Sequence, residues 1–286
     1  MKAVKRKINE EQVRRANMEF YNRTAVEYSI HEQVVFPWKS HARVSRIMEG
    51  LGRKCGGGRA LEIGCGLGFV TQYAERFFDT ACGIDLSREM ARLAAERGHR
   101  VAVADGSHVP FPDGVFDAVI CYSVLHHFYD YRGVLGEAAR VLKRGGCLYT
   151  DWDPNAGFNR SFAARLYRGL SKAYVSLKGG LGLIDRRSMK PSREPTDFGE
   201  EIDRLAEIAE YHHHCTKGIE PSDLTGALEE AGFEGIELYY HDDYISLKWG
   251  LDRDLPLRLL GMAVGFATLR RRPSYLKWLA VIARKA

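Results

Sequence analysis

Between residues 59 and 152, short apolar runs alternate with stretches whose apolar residues recur at helical spacing. The runs are RALEIG, TACGID, RVAVAD, FDAVICY and GGCLYTDW, each long enough for one strand and bounded by charged or turn-forming residues. Helical periodicity falls over residues 69–78, 87–97 and 131–142. Ser87 stands where it can cap the second of these helices, and Lys143, Arg144 and Gly145 supply a basic end and a stop for the third. Alternation of this kind predicts β-α-β units and a parallel sheet. The pattern resumes late in the chain. Pro221 and Ser222 open a helix, DLTGALEEA, that Gly232 stops, and GIELYYH and YLKWLAVIARK then read as two more strands. Ahead of the first strand, EFYNRTAVEY and HARVSRIMEGL are periodic helical stretches. The predicted organisation is a helical cap over residues 1–50, a core over 51–153 and 218–286, and a helical lid inserted at 154–217.

Composition narrows the class. With 286 residues, 45% apolar and 28% charged, the chain fits one large globular domain with an elaboration. A net charge of +5 is far from the balance of a nucleic-acid binder, and no nucleic-acid partner is expected. The basic start MKAVKRKINEEQVRR has no apolar run behind it, unlike a secretory signal. No apolar stretch reaches the roughly 18 to 20 residues that span a bilayer; the nearest, 255–269, is short and carries Arg258. Six cysteines form no Cys-x-x-Cys pair, which suits reduced thiols in a cytoplasmic protein better than a disulfide framework or a zinc site.

Candidate chemistry begins at LEIGCGLGFVTQYA, where Gly64, Gly66 and Gly68 lie between a strand and a helix. Such a turn lets a ligand approach the backbone closely and meet the amides of the helix behind it. Asp85 follows Gly64 by 21 residues and ends the second strand, where a carboxylate accepts from both ribose hydroxyls. A dinucleotide site has the same acid. Here Glu62 would repel a pyrophosphate while suiting a cation, and the third glycine comes two residues after the second rather than three.

The run LEIGCGLG, followed by GIDLSREM, VADGSHVPFPDGVFDAVICYSVLHHF and RVLKRGG, closely resembles the class I S-adenosylmethionine-dependent methyltransferases, particularly their small-molecule, quinone-biosynthesis-like branch. The resemblance is strong over residues 60–146 and weaker over PSDLTGALEEAGFEGIEL and YLKWLAVIARK. It implies an α/β fold: a seven-stranded, mostly parallel, doubly wound (Rossmann-like) sheet with an antiparallel last strand, the lid lying between strands five and six. It implies S-adenosylmethionine as cofactor and a small-molecule methyl acceptor as partner. Gly64, Gly66 and Gly68 would pass under the methionine part, with Glu62 orienting its ammonium or the loop. Asp85 would hold the ribose, Leu86 and Met90 would flank the adenine, and Asp105 would accept from its amine with Gly106 and Ser107 nearby. Tyr122, Ser123, His126 and His127, at the end of the fourth strand, would face the methyl group, and either histidine is a candidate base. Tyr21 and Tyr28 are candidate lid aromatics or core residues.

Other features carry less. His212, His213 and His214 are adjacent on a helical stretch and point in different directions, so no metal site is expected. Asp151 and Asp153 in TDWDPN stand where metal-dependent members supply carboxylates, yet the segment reads more simply as the loop leaving the fifth strand. Residues 158–193 hold nine basic residues against one acid, and residues 194–243 hold fifteen acids against two bases. The two blocks either face each other or lie on separate solvated surfaces. Alternatively the basic amphipathic stretch 158–178 makes peripheral contact with an anionic membrane or covers a hydrophobic acceptor. An RNA methyltransferase and a non-catalytic cofactor-binding scaffold remain as alternatives.

Overall fold

The structure is a computed structural model and describes residues 8–35, 38–161, 165, 169, 199–241 and 277–286. Most of the basic amphipathic stretch 158–178 and all of the apolar stretch 255–269 lie outside the described residues. Each apolar run becomes a strand: β1 (Arg59–Ile63), β2 (Thr80–Asp85), β3 (Val101–Val103), β4 (Phe116–Tyr122), β5 (Leu142–Pro154), β6 (Phe233–His241) and β7 (Trp278–Lys285). They form one sheet in the order β3-β2-β1-β4-β5-β7-β6. β7 runs antiparallel between β5 and β6, and the pairs from β3 through β5 are parallel. The strand order reverses between β1 and β4, which places a crevice at their carboxyl ends.

The helices are α1 (Glu10–Val35), α2 (Trp38–Cys55), α3 (Thr71–Phe77), α4 (Arg88–Glu96), α5 (Arg132–Val141), α6 (Ala156–Arg160), α7 (Gly199–Ala209), α8 (Tyr211–His214) and α9 (Pro221–Glu230). On α2, Ser40, Val44, Met48 and Leu51 make one fully buried stripe at three- and four-residue spacing. Val44, Met48 and Leu51 pack with Val70 and Ala74 against one sheet face. Val134, Leu135 and Ala138 of α5, with Leu224 and Leu228 of α9, cover the other. α1 belongs to neither layer: its Ala25 packs with Leu67 and Met90, beside Tyr21 and Tyr28.

Two boundaries differ from the sequence expectation for physical reasons. The helix expected through residue 142 stops at Val141, and β5 starts at once; Gly145, at φ +77°, lies within the strand rather than ending the helix. RVAVAD yields only three strand residues because β3 is an edge with one neighbour, and Val103 is exposed. Beyond β5, the Ala156 amide donates to the Ile219 carbonyl at 3.0 Å and the Ile219 amide to the Pro154 carbonyl at 2.6 Å.

Candidate cofactor and acceptor site

The glycine turn is tied to the sheet by the Gly64 and Cys65 amides, which both donate to the Ile84 carbonyl at 2.8 and 3.0 Å. Gly64, Gly66 and Gly68 all take positive φ, at +70°, +52° and +85°. Their reasons differ. A Cβ on Gly64 would sit 2.3 Å from Val124, and one on Gly68 would sit 2.3 Å from the His99 ring. A Cβ on Gly66 would meet no protein atom within 4 Å and would enter the space the turn encloses. That space is a cavity of about 550 Å³ at the carboxyl ends of β1, β2 and β4, within the roughly 300 to 1,000 Å³ usual for cofactor sites.

Of the residues that the family resemblance puts at the cofactor and the acceptor, all but Gly68 and His126 line this cavity. Asp85 accepts from the Gly66 amide through Oδ2 and from the Ser87 amide through Oδ1, both at 2.8 Å. Burial pushes its carboxyl up from the ordinary range, and those two amides oppose the shift. Glu62 is buried and accepts from the Thr71 hydroxyl. Burial outweighs that bond and raises its carboxyl to about 8. Asp105 accepts from the Ser107 amide at 2.9 Å. The loop beyond it is fixed from behind by Arg140, whose guanidinium donates to the carbonyls of Val109 and Phe111 at 2.8 Å. Gly106 has no room for a side chain, since a Cβ would lie 2.7 Å from Ile63.

The roof is α1. Val13, Arg14, Asn17, Tyr21 and Tyr28 face the cavity from it. The His127 ring Nδ1 lies 2.9 Å from the Ala209 carbonyl, so it carries the proton; Nε2 then accepts from the Tyr21 hydroxyl at 3.2 Å. The Asn17 amide donates to the His127 carbonyl at 2.9 Å. His127 therefore joins the roof, the turn after β4 and the end of α7. Burial, then the neighbouring His126, lowers its imidazole to about 4, so it is neutral at ordinary pH. His126 is turned away from the cavity. It is buried, its Nδ1 lies 2.8 Å from Asp153, and its ring packs edge-on against His213.

Asn17 and Asn22 of the roof were not evident beforehand, although Asn17, Tyr21 and Tyr28 recur at helical spacing along one face. Asp151 is also occupied. It is fully buried and accepts from Arg43 of α2, Tyr149, His241 and the Trp152 amide. Burial opposes its charge, but His241 and Arg43 hold its carboxyl below the usual range. His212 turns to Thr216, His213 to His126 and His214 to Glu210. Among the described residues, no group of His, Cys, Asp and Glu is placed to hold a metal ion.

The comparisons with known proteins agree with this geometry. The family model described as a methyltransferase domain matches residues 61–150. The uncharacterized protein MJ1123 of Methanocaldococcus jannaschii is 41% identical over 172 residues, which cover 56% of this chain and 78% of that one. A phthiotriol/phenolphthiotriol dimycocerosates methyltransferase of Mycobacterium tuberculosis is 32% identical over 146 residues; these cover 46% of this chain and about half, 54%, of that relative. Among solved structures, a SAM-dependent methyltransferase of Thermotoga maritima, titled a possible histamine N-methyltransferase, shares the fold with a TM-score of 0.53 at 17% identity, over 94% of this chain and 99% of that one. The chain belongs to the class I S-adenosylmethionine-dependent methyltransferases. It is a methyltransferase that uses S-adenosylmethionine.

The cavity has groups of the kinds that cofactor needs: Gly66 presents no side chain, Asp85 would meet the ribose, Leu86 and Met90 would give apolar flanks, and the Glu62 carboxyl lies beside the turn.

Proposed function

We propose that the enzyme methylates a small, hydrophobic or lipid-like acceptor, and that Tyr21 and His127 attend the accepting atom. The bound cofactor supplies an electrophilic methyl group on a sulfonium. The protein's task is to hold the acceptor in line with that methyl and to exclude water. The aromatic wall at the methyl end carries this reading. Phe69 and Tyr122 line the cavity with ring centroids 5.6 Å apart; Tyr122 stacks on Trp152 at 6.0 Å, and Trp152 on Trp278 at 5.0 Å. Such a wall suits a flat or apolar acceptor. The relative named for phthiotriol and phenolphthiotriol dimycocerosates supports a lipid-like one.

Tyr21 can take a proton from the acceptor as its own passes to His127 Nε2. An imidazole lowered to about 4 is a weak base, so the couple orients the acceptor more than it strips it. The acceptor it suits is one that arrives with an available electron pair. The basic stretch 158–178 would then serve as a lid or a membrane contact for such a molecule.

The deciding experiment incubates the protein with methyl-labelled S-adenosylmethionine and a fractionated cell extract. Label entering the organic-solvent-soluble pool is the expected result. Label confined to RNA or protein overturns the acceptor class, and no transfer to any pool favours a scaffold.

A further inference from the structure

The hydrogen bonds that fix Asp85 continue past the site itself. The Ser87 amide donates to Asp85 Oδ1, while the Ser87 hydroxyl oxygen accepts from the Met90 amide at 3.2 Å and so caps α4. With its oxygen so engaged, the hydroxyl directs its proton to Asn22 Oδ1, 2.9 Å away. The same Asn22 oxygen accepts from the Glu89 amide at 3.1 Å. Asn22 belongs to the roof helix α1, 65 residues earlier in the chain, and does not line the cavity. One unbroken path therefore runs from the roof through Ser87 and Asp85 to the Gly66 amide in the turn.

We propose that Asn22 is a positioning residue through which the roof helix fixes the ribose-binding geometry of Asp85; this rests on the cofactor reading above. Asp85 binds ribose well only if its two oxygens are aimed before the ligand arrives. Gly66 aims one, and Ser87 aims the other. Ser87 is in turn held by a side chain that is present only when the roof is seated. The closed roof thereby supports ribose recognition without touching the ligand. A residue that merely capped α4 would affect every ligand of the cavity equally. A residue that aims Asp85 affects those that use the ribose hydroxyls.

Calorimetry on the full chain separates the two, using S-adenosylhomocysteine and its 2′-deoxy analogue with wild type, Asn22→Ala and Asn22→Asp. Wild type should prefer the ribose ligand by about thirty-fold, the scale of a hydrogen bond to a charged group. Asn22→Ala should bind that ligand about ten-fold more weakly, reduce the preference to about three-fold, and bind the deoxy analogue nearly as before. Asn22→Asp keeps the accepting oxygen and should recover most of the preference. Equal loss for both ligands, or no loss, overturns the proposal. If wild type fails to bind S-adenosylhomocysteine at all, the cofactor reading fails instead. If Asn22→Ala does not fold, hydrogen exchange in wild type decides: protection of the Glu89 amide by S-adenosylhomocysteine but not by the deoxy analogue supports the proposal, and equal protection overturns it.

Discussion

Glu62 serves two opposed requirements. Its carboxyl lies at the end of a buried strand, where the apolar surroundings favour the proton; beside a cationic ligand the same group is wanted ionised. Burial raises it from the ordinary 4.5 to about 8, against the Thr71 hydroxyl. The folded state therefore holds the proton more tightly than the unfolded chain. That contribution to stability is complete below pH 4.5 and is lost as pH rises through about 8. Glu62→Gln keeps the shape and the acceptor for Thr71 but cannot ionise. Its unfolding free energy should gain on wild type between pH 4.5 and 8, by on the order of a few kcal/mol at the upper end, and the gap should then level off. Its affinity for ligands carrying the methionine ammonium should fall while adenosine binding holds. A constant gap across that window would remove the pH argument. At Asp85, replacement by Asn removes the doubly accepting carboxylate, and S-adenosylhomocysteine affinity measured by calorimetry should drop by about 10- to 100-fold.

At the scale of elements, the turn between β1 and α3 shows that one motif can hold glycines for different reasons. Gly66→Ala adds a methyl to open cavity at φ +52°, so denaturation should show a loss of only about 1 kcal/mol while cofactor affinity falls more than about ten-fold. Gly64→Ala drives its methyl into Val124, 2.3 Å away, and should lower the melting temperature well beyond that of Gly66→Ala. Spacing alone made the three positions look alike. The strands and the acid at the end of β2 were legible because buried parallel strands read as apolar runs and the site hangs on their ends. What sequence spacing hid was contact across long separations. Asn17 reaches His127 over 110 residues and Arg43 reaches Asp151 over 108, and neither pairing leaves a periodic mark. His126 and His127 are neighbours in sequence, yet the short helical turn Leu125–His127 sends one toward Asp153 and the other into the cavity.

Across the whole molecule, α1 packs along α7 and α4, buries Val13, Ala16 and Ala25, and adds side-chain hydrogen bonds at both ends of the cavity. Beside Asp85 these bonds join Asn22 to Ser87 and Glu89; beyond β4 they join Asn17 and Tyr21 to His127. Between them lie about 550 Å³ that a ligand would fill with contacts to helix and sheet at once. Cofactor binding should therefore stabilise unevenly. A ligand that touches both a helix and the sheet beneath it raises the free energy of separating the two directly. S-adenosylhomocysteine at 100 times its dissociation constant should stabilise the fold by about 2.7 kcal/mol. In hydrogen exchange the largest added protection should fall on residues 13–28 and 122–128, with little on β6 and β7, which pair at the far side of the sheet. Protection spread evenly over all seven strands, with none in α1, would mean that the roof does not close on the ligand.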